Sequence, residues 1–238
     1  MATKNNIVFF DTKEQFINYI EKMNLTRKLG EGSEGSCFLS SKDNYAYKIM
    51  EQSLYDGRIS EYNIDKIITT KDISLDCFAM PVELYAVSKE LVAYKTKYIS
   101  PDLFDYYNLI KNYENIYKIH FSTLKQAYEK MLKEAEILSK EQIEIYDLSC
   151  NLMFTGKRLV GIDTCAYRRV NQNPHERNLK SINNAIKEVF NSWIMYNPNF
   201  EEELVEFIDL EEEIDINNYL NNVSKLTKKV KRRMRYHF

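Results

Sequence analysis

The apolar positions change their period along the chain, and each change marks an element. Over residues 12–23 (TKEQFINYIEKM) Phe16, Ile20 and Met23 recur at helical spacing behind Thr12, a residue suited to capping a first turn. From Thr26 to Met50 the texture becomes short runs of aromatic and β-branched residues, broken by glycine and by Lys42-Asp43-Asn44. This predicts three antiparallel strands with a tight second turn. Residues 59–70 (ISEYNIDKIITT) place Ile64, Ile67 and Ile68 on one face of a predicted helix. Residues 78–87 and 90–99 read as two more strands joined at Ser88-Lys89. The first hundred residues are therefore β-dominated with one internal helix.

After Pro101 the period becomes 3.6. Residues 119–139 carry Phe121, Leu124, Tyr128, Met131, Leu132, Ala135 and Leu138, the stripe of a long amphipathic helix. A short β-like island follows at Ile143–Tyr146, Leu152–Phe154 and Leu159–Ile162, with Thr155-Gly156-Lys157 as a hairpin turn. From about Asn178 the pattern is helical again. A β-rich half followed by a helical half predicts an α+β protein of two lobes, residues 1–99 and 100–238.

Composition narrows the class. Hydrophobic residues are 44% and aromatics 13%, enough for a core, so disorder is excluded as the main state. The net charge of −2 gives no global field directed at nucleic acid. Cys37, Cys77, Cys150 and Cys165 form no C-x-x-C pair, and three histidines are few for a zinc site. Unframed cysteines read as reduced thiols, and no run approaches the roughly 18 apolar residues of a membrane span. The expectation is a cytoplasmic protein without a membrane partner.

Three groups of residues carry candidate chemistry. Gly30-Glu31-Gly32-Ser33-Glu34-Gly35 is G-x-G-x-x-G, followed by a strand-like run and not by a helix. That context fits a glycine hairpin folded over phosphates better than a dinucleotide turn, although an ordinary flexible hairpin reads the same way. Lys48, within Tyr45-Ala46-Tyr47-Lys48-Ile49-Met50, shares a strand face with Ala46, opposite Tyr47 and Ile49. A cation there needs a partner unless it snorkels to an edge. Glu61, on the predicted helix face of Ile64 and Ile68, is the expected carboxylate, with first-turn dipole stabilisation as its other reading. Finally, Asp147, Asn151 and Asp163 cluster at the ends of the predicted hairpin. Loop capping explains one such residue, whereas all three together supply oxygen ligands suited to Mg²⁺ and a carboxylate able to orient a hydroxyl.

In this order, glycine loop, strand lysine, helix glutamate, Asp…Asn and Asp, the chain resembles the protein kinase-like superfamily, including small bacterial-type kinases and aminoglycoside phosphotransferases, over about residues 24–170. The resemblance implies a β-rich N-lobe with one helix and a mainly helical C-lobe. It implies ATP and Mg²⁺ as cofactors, with Gly30, Glu31, Gly32, Ser33 and Gly35 over the phosphates. Lys48 would hold the phosphates and pair with Glu61, and Thr96, Lys97 and Tyr98 would approach the adenine. Asp147 would orient the substrate hydroxyl, and Asn151 and Asp163 would bind the metal.

The chain departs from that pattern in places. Asp147 to Asn151 is four positions where the family has five, leaving Ser149 as a neighbour that would compensate. Tyr146 stands where the family's arginine precedes the catalytic aspartate, so the usual receiver of an activation-segment phosphate is missing. Asp163-Thr164-Cys165 replaces D-F-G, and there is no A-P-E. The expected activity is phosphoryl transfer to a hydroxyl on a protein, or on a small molecule such as an aminoglycoside or sugar. The alternative is a pseudokinase scaffold that binds nucleotide or a partner without transfer. Separately, residues 201–215 hold nine acids and no base, and residues 224–238 hold seven Lys/Arg and no acid. The bland reading is a solvated helix pair; the sharper one is a docking patch at residues 225–235 for an acidic partner or nucleic acid.

Overall fold

The computed structural model describes residues 2–4, 6–55, 62–100, 104–105, 113–203 and 215–236. The chain is α+β and divides into two compact units. The first is Met1–Ile99 with Asp163–Arg169; the second is Ser100–Ile162 with Val170–Phe238. The segment Asp163–Arg169 thus groups with the first unit, although its sequence position puts it among the second-half residues.

The first unit is built on a seven-stranded sheet, two strands more than the sequence pattern predicts. Its strands are β1 (Ala2–Lys4), β2 (Ile7–Phe10), β3 (Leu25–Glu31), β4 (Ser36–Ser40), β5 (Tyr45–Ile49), β6 (Glu83–Val87) and β7 (Glu90–Lys97), in spatial order β1-β2-β6-β7-β5-β4-β3. The additional strands are β1 and β2. β2 runs parallel to β6 with Ile7 opposite Leu84, whereas the other neighbouring pairs are antiparallel. Ile7-Val8-Phe9-Phe10 is a continuous apolar run, as a strand covered on both faces requires. Val8 and Phe10 enter one core with Tyr47, Ile49, Tyr85 and Val87. Ile7 enters the opposite core with Leu84, Ala86, Leu91 and Tyr94.

Helix α1 (Lys13–Glu21) covers the first of these cores. It is capped by Thr12, whose hydroxyl accepts from the Gln15 amide at 3.2 Å. Its Phe16 is buried and meets Phe10 edge-on at 5.3 Å. Full burial of such a ring stabilises by about 1.5–3 kcal/mol. A short helix α2 (Glu51–Tyr55) follows β5.

Over its described part, residues 62–70, the predicted helix does not form. Residues 56–61, Glu61 among them, lie outside the described residues. Of the remainder only Ile64–Lys66 makes a single 3-10 turn, and Ile67 is already extended at φ −66°, ψ 129°. The Asn63 side chain accepts from the Asp65 amide, and Asp72 accepts from both the amide and the hydroxyl of Thr69. The Asn63 bond caps the turn and so starts it inside the predicted helix, whereas the Asp72 bonds hold Thr69 outside any helix. The isoleucines Ile64, Ile67 and Ile68 are buried nonetheless. The periodicity therefore marked a buried segment and misassigned its backbone.

The turn between β4 and β5 is Lys42-Asp43-Asn44, with Asn44 left-handed at φ 54°. Asp43 accepts from Tyr47 Oη and from Lys95 Nζ, both at 2.7 Å, which ties the turn to β7. Burial opposes the charged carboxylate, but the hydrogen bonds from Lys95 and Tyr47 outweigh it and hold Asp43 at about 2.

In the second unit three long helices enclose the core: α3 (Phe121–Lys140), α4 (His175–Met195) and α5 (Ile216–Tyr236). Leu124, Met131, Ile182, Val189, Trp193, Tyr219 and Val223 are all buried. A strand β8 (Phe104–Asp105) and a hairpin accompany them, preceded by the short extended segment β9 (Ile143–Glu144). The hairpin is β10 (Leu152–Phe154) and β11 (Leu159–Gly161), with Gly156 at φ 82° in its turn; β10 also pairs with β8. The final short strand, β12 (Arg168–Arg169), belongs to the first unit.

Two expectations follow from this framework. A Cβ on Gly35 would sit 1.9 Å from the Ile49 carbonyl oxygen, whereas on Gly30 or Gly32 it would meet nothing within 4 Å. Gly35→Ala should therefore lower unfolding free energy by about 1–3 kcal/mol or more, and Gly32→Ala by less than about 0.5 kcal/mol, in urea titrations. Equal effects would mean that the close approach at Gly35 is not made. For Asp43, whose folded value lies below its ordinary 3.8, the contribution to stability is present above about pH 4 and lost as pH falls towards 2. Asp43→Asn should remove that part of the acid slope in melting temperature measured from pH 2 to 6.

Candidate functional site

The centre of the first-unit site is Lys48. Strand alternation on β5 places it with Ala46 on the face opposite Tyr47 and Ile49. Its cross-strand neighbours are Cys37 on β4 and Tyr94 on β7. Its side chain is only 12% exposed, so the ammonium must be compensated where it sits. Two carboxylates do this. Glu34, from the glycine hairpin, accepts from Lys48 Nζ at 3.0 Å, and Asp163 takes a short, direct bond from the same nitrogen.

Each carboxylate is held by a phenol. Tyr62 Oη donates to Glu34 at 2.8 Å, and Tyr94 Oη donates to the second oxygen of Asp163 at 2.7 Å. Burial pulls the Lys48 ammonium towards its neutral form, but Asp163 and Glu34 more than reverse this, and the group ends above the ordinary lysine value. Burial and Asp163 together push the Tyr94 phenol well up, so it stays a donor. The Cys37 thiol rises to about 11, from burial first, with Lys48 opposing.

Asp163 reaches this position in a left-handed conformation, φ 57° and ψ 46°. The next residue anchors it: Thr164 Oγ1 donates to the Ala79 carbonyl at 3.0 Å. The same carbonyl accepts from Thr96 Oγ1 at 3.1 Å. Thr96 thus spends its hydroxyl on the framework. Lys97 ends β7 and is exposed, and Tyr98 follows half-buried outside the strand.

The glycine hairpin closes through the Gly32 amide, which donates to the Gly35 carbonyl at 2.9 Å. The Ser33 carbonyl accepts from the Gln52 amide group, and Glu31 turns outward to Lys28 at 2.6 Å. Gly30, Gly32 and Ser33 are exposed and Gly35 is buried.

The second-unit candidates form a separate cluster. Asp147 is exposed and left-handed at φ 54°, and it leads into a 3-10 turn, Ser149–Asn151. The Asn151 amide nitrogen donates to the Asp147 carbonyl at 2.8 Å, with the Asp147 carboxylate at 3.4 Å. The Asn151 carbonyl in turn accepts from Ile162 at the end of the hairpin. The four-residue spacing is therefore a closed turn. Tyr146, beside Asp147, is 54% exposed.

The approach to this turn is fixed by Asn178 of α4, fully buried. Its amide donates to Ser139 Oγ at 2.9 Å and to the Ile143 carbonyl at 3.0 Å, and its oxygen accepts from the Ile145 amide at 2.7 Å. Sequence reasoning missed Asn178, Glu34, Tyr62 and Tyr94. Only Glu34 carried a signal, as one of the two acids inside the glycine run, the one next to its last glycine. The structure brings Lys48 together with Asp163, and Asp147 with Asn151, each pair within one unit. Among the described residues no group of three or more His, Cys, Asp or Glu could hold a metal ion. No protein-family model matches the chain, and no curated protein matches it.

The coupling in the Lys48 network is measurable. Lys48→Met leaves two carboxylates facing each other, and adding Asp163→Asn should restore part of the loss. Urea unfolding of the wild type, both single variants and the double variant should give an interaction energy of about 0.5–3 kcal/mol. Additive losses would show that the two side chains do not interact.

Proposed function

We propose that the chain is an ATP- and Mg²⁺-dependent phosphotransferase of two-lobed, protein kinase-like architecture, moving the γ-phosphoryl group to a hydroxyl, most readily that of a protein side chain. The observation that supports this reading is the Lys48–Asp163 pair. Two residues 115 positions apart, each chosen from its motif, meet in one unit at the strand face beneath a glycine hairpin. In phosphoryl transfer the protein's task is positioning and charge neutralisation, with little covalent work.

The roles follow from each residue's surroundings. Lys48 is kept charged and buried, ready to bind phosphate oxygens. Asp163 presents a carboxylate 23% exposed beside Lys48, an oxygen donor that fits a hard divalent cation. Asn151 has its amide nitrogen committed to Asp147, which leaves its oxygen as the ligating atom. Mg²⁺ is ordinarily held by one or two protein oxygens together with substrate phosphates, so a three-residue protein cage is not needed. When bound, it neutralises charge on the phosphates. Asp147 is exposed and its backbone is fixed by Asn151, so its carboxylate can orient an incoming hydroxyl.

A second reading, nucleotide binding without transfer, has its own observation. Glu34 is already bonded to Lys48, so an anionic ligand at Lys48 must displace a carboxylate held by Tyr62.

The test uses γ-labelled ATP with Mg²⁺ and two acceptor sets, a lysate and a panel of aminoglycosides and sugars. Transfer to protein is the expected result, and Lys48→Met or Asp163→Asn should lower it by about 10²-fold or more. Glu34→Ala should tighten nucleotide binding. Label on the small molecules alone would move the substrate class, and binding without any transfer would establish the second reading. A chain that neither binds nor transfers ends the proposal.

A further inference from the structure

Helix α5 carries a structure that phosphoryl transfer does not use. From Ile216 to Tyr236 it contains no acidic residue. Its apolar side, Tyr219, Leu220, Val223, Leu226 and Val230, is buried, so its packing is complete without the charged side. On that other side Lys228, Lys231, Arg232 and Arg235 follow one another at spacings of three, one and three, and all four are exposed. They make one stripe about 10 Å long on a helix rising 1.5 Å per residue.

The stripe borders a concavity. A groove of about 470 Å³ runs between α5 and the segment Ile116–Phe121, with Lys118 and His120 on one wall and Lys228 and Lys231 on the other. A second hollow of about 220 Å³ adjoins it, sharing Lys228 and Lys231 and completed by Arg232 and Arg235. No carboxylate lines either one. Among the described residues Lys228, Arg232 and Arg235 have no acidic partner, and Lys231 donates to the Tyr117 carbonyl at 3.1 Å. Arg233, on a different side of the helix, pairs with Glu202.

Among the described residues no carboxylate balances these charges. Like charges three and four apart on a helix repel. The helix dipole favours cations only in the last turn, which leaves Lys228 and Lys231 unexplained. The whole chain has a charge of −2, so the stripe is local and not part of a general basic character.

We infer that this groove is a binding site for the phosphodiester backbone of a single nucleic-acid strand. A stripe of this length faces two or three successive phosphates, and two of its four cations are arginines, whose planar fork suits phosphate oxygens. The nearest phenol and phenyl rings are already packed, Tyr117 on Phe200 at 6.2 Å and Phe121 on Phe190 at 5.9 Å, and of the lining rings His120 is the exposed one. Recognition therefore runs chiefly through charge, four cations against a single histidine ring, and it is independent of sequence.

The experiment is fluorescence anisotropy of the full chain with a labelled 12-nucleotide RNA and its DNA counterpart, at salt concentrations from 50 to 300 mM. Binding to both is expected, with log K falling against log salt at a slope of about −1.4 to −2.1, as two or three neutralised phosphates of a single strand require. Lys228→Gln/Lys231→Gln/Arg232→Gln should weaken it at least tenfold with an unchanged melting temperature. Lys66→Gln/Lys71→Gln/Lys89→Gln, which removes the same charge from exposed positions of the first unit, should leave it unchanged. No binding at 50 mM salt, or equal losses in the two triple variants, overturns the inference. Displacement by polyglutamate as effective as by unlabelled oligonucleotide overturns it in favour of an acidic polypeptide.

Discussion

A lysine ammonium that is only 12% exposed sets the conditions the first unit must meet. Removing such a charge from water costs several kcal/mol unless oppositely charged groups with good hydrogen bonds replace the solvent. The pleat of β5 puts Lys48 on the face shared with Tyr94, and neither of its ladder neighbours, Cys37 and Tyr94, is an anion. The anions must come from elsewhere. One comes from the hairpin fourteen residues earlier and the other from Asp163, so that a segment from late in the chain is drawn into the first unit. Thr164 and Thr96 then meet on one carbonyl, Ala79, and fix that segment to the sheet. One ammonium between two carboxylates leaves an excess of negative charge. The two phenols, Tyr62 and Tyr94, disperse it by donating to the outer oxygens.

The glycine hairpin illustrates how one motif divides its labour. Gly35 is required by packing, since any side chain there would collide with the Ile49 carbonyl. Gly30 and Gly32 face open space, so packing does not require glycine at either. Between them and Gly35 lies Glu34, which turns the hairpin from a neutral cover into a counter-ion for Lys48. A ligand that competes for Lys48 has to replace the one oxygen that Glu34 gives it, while Tyr62 holds the other.

What the sequence reveals about this fold follows from the range of the forces involved. Helix α1 with its Thr12 cap, strands β3 to β5, the turn at Asn44, the long helix α3 and the Gly156 hairpin are all written in local patterns, and each forms where those patterns place it. β1 and β2 were not legible in this way. Four consecutive apolar residues do not disclose that their partner is β6, more than seventy residues away. Ile64, Ile67 and Ile68 were recognised as buried, but their spacing fits a helix face as well as an irregular segment, and Asn63 and Asp72 decide in favour of the latter. Of the candidate site, Lys48, Asp163, Asp147 and Asn151 are singled out by motif order, and the structure joins Lys48 to Asp163 and Asn151 to Asp147. Their other partners are not singled out, because Tyr94 reads as an ordinary strand aromatic and Asn178 as an ordinary helix residue until the tertiary structure closes around them.

Asp147 and Asp163 share one further feature that ties backbone to chemistry. Both are left-handed, and each stands just before a 3-10 turn, Ser149–Asn151 and Thr164–Ala166. For a residue with a Cβ this conformation costs about 1–2 kcal/mol, and aspartate is among the few that adopt it. Glycine would relieve the strain at either position. It would also remove a carboxylate, and at Asp163 that carboxylate is what keeps a buried lysine charged. The strain is offset by bonds to those same residues, from Lys48 and Tyr94 to the Asp163 side chain and from Asn151 to the Asp147 carbonyl. Each aspartate is thus fixed both by its own unfavourable backbone geometry and by the groups that reward it. That over-determination keeps each aspartate in one backbone conformation.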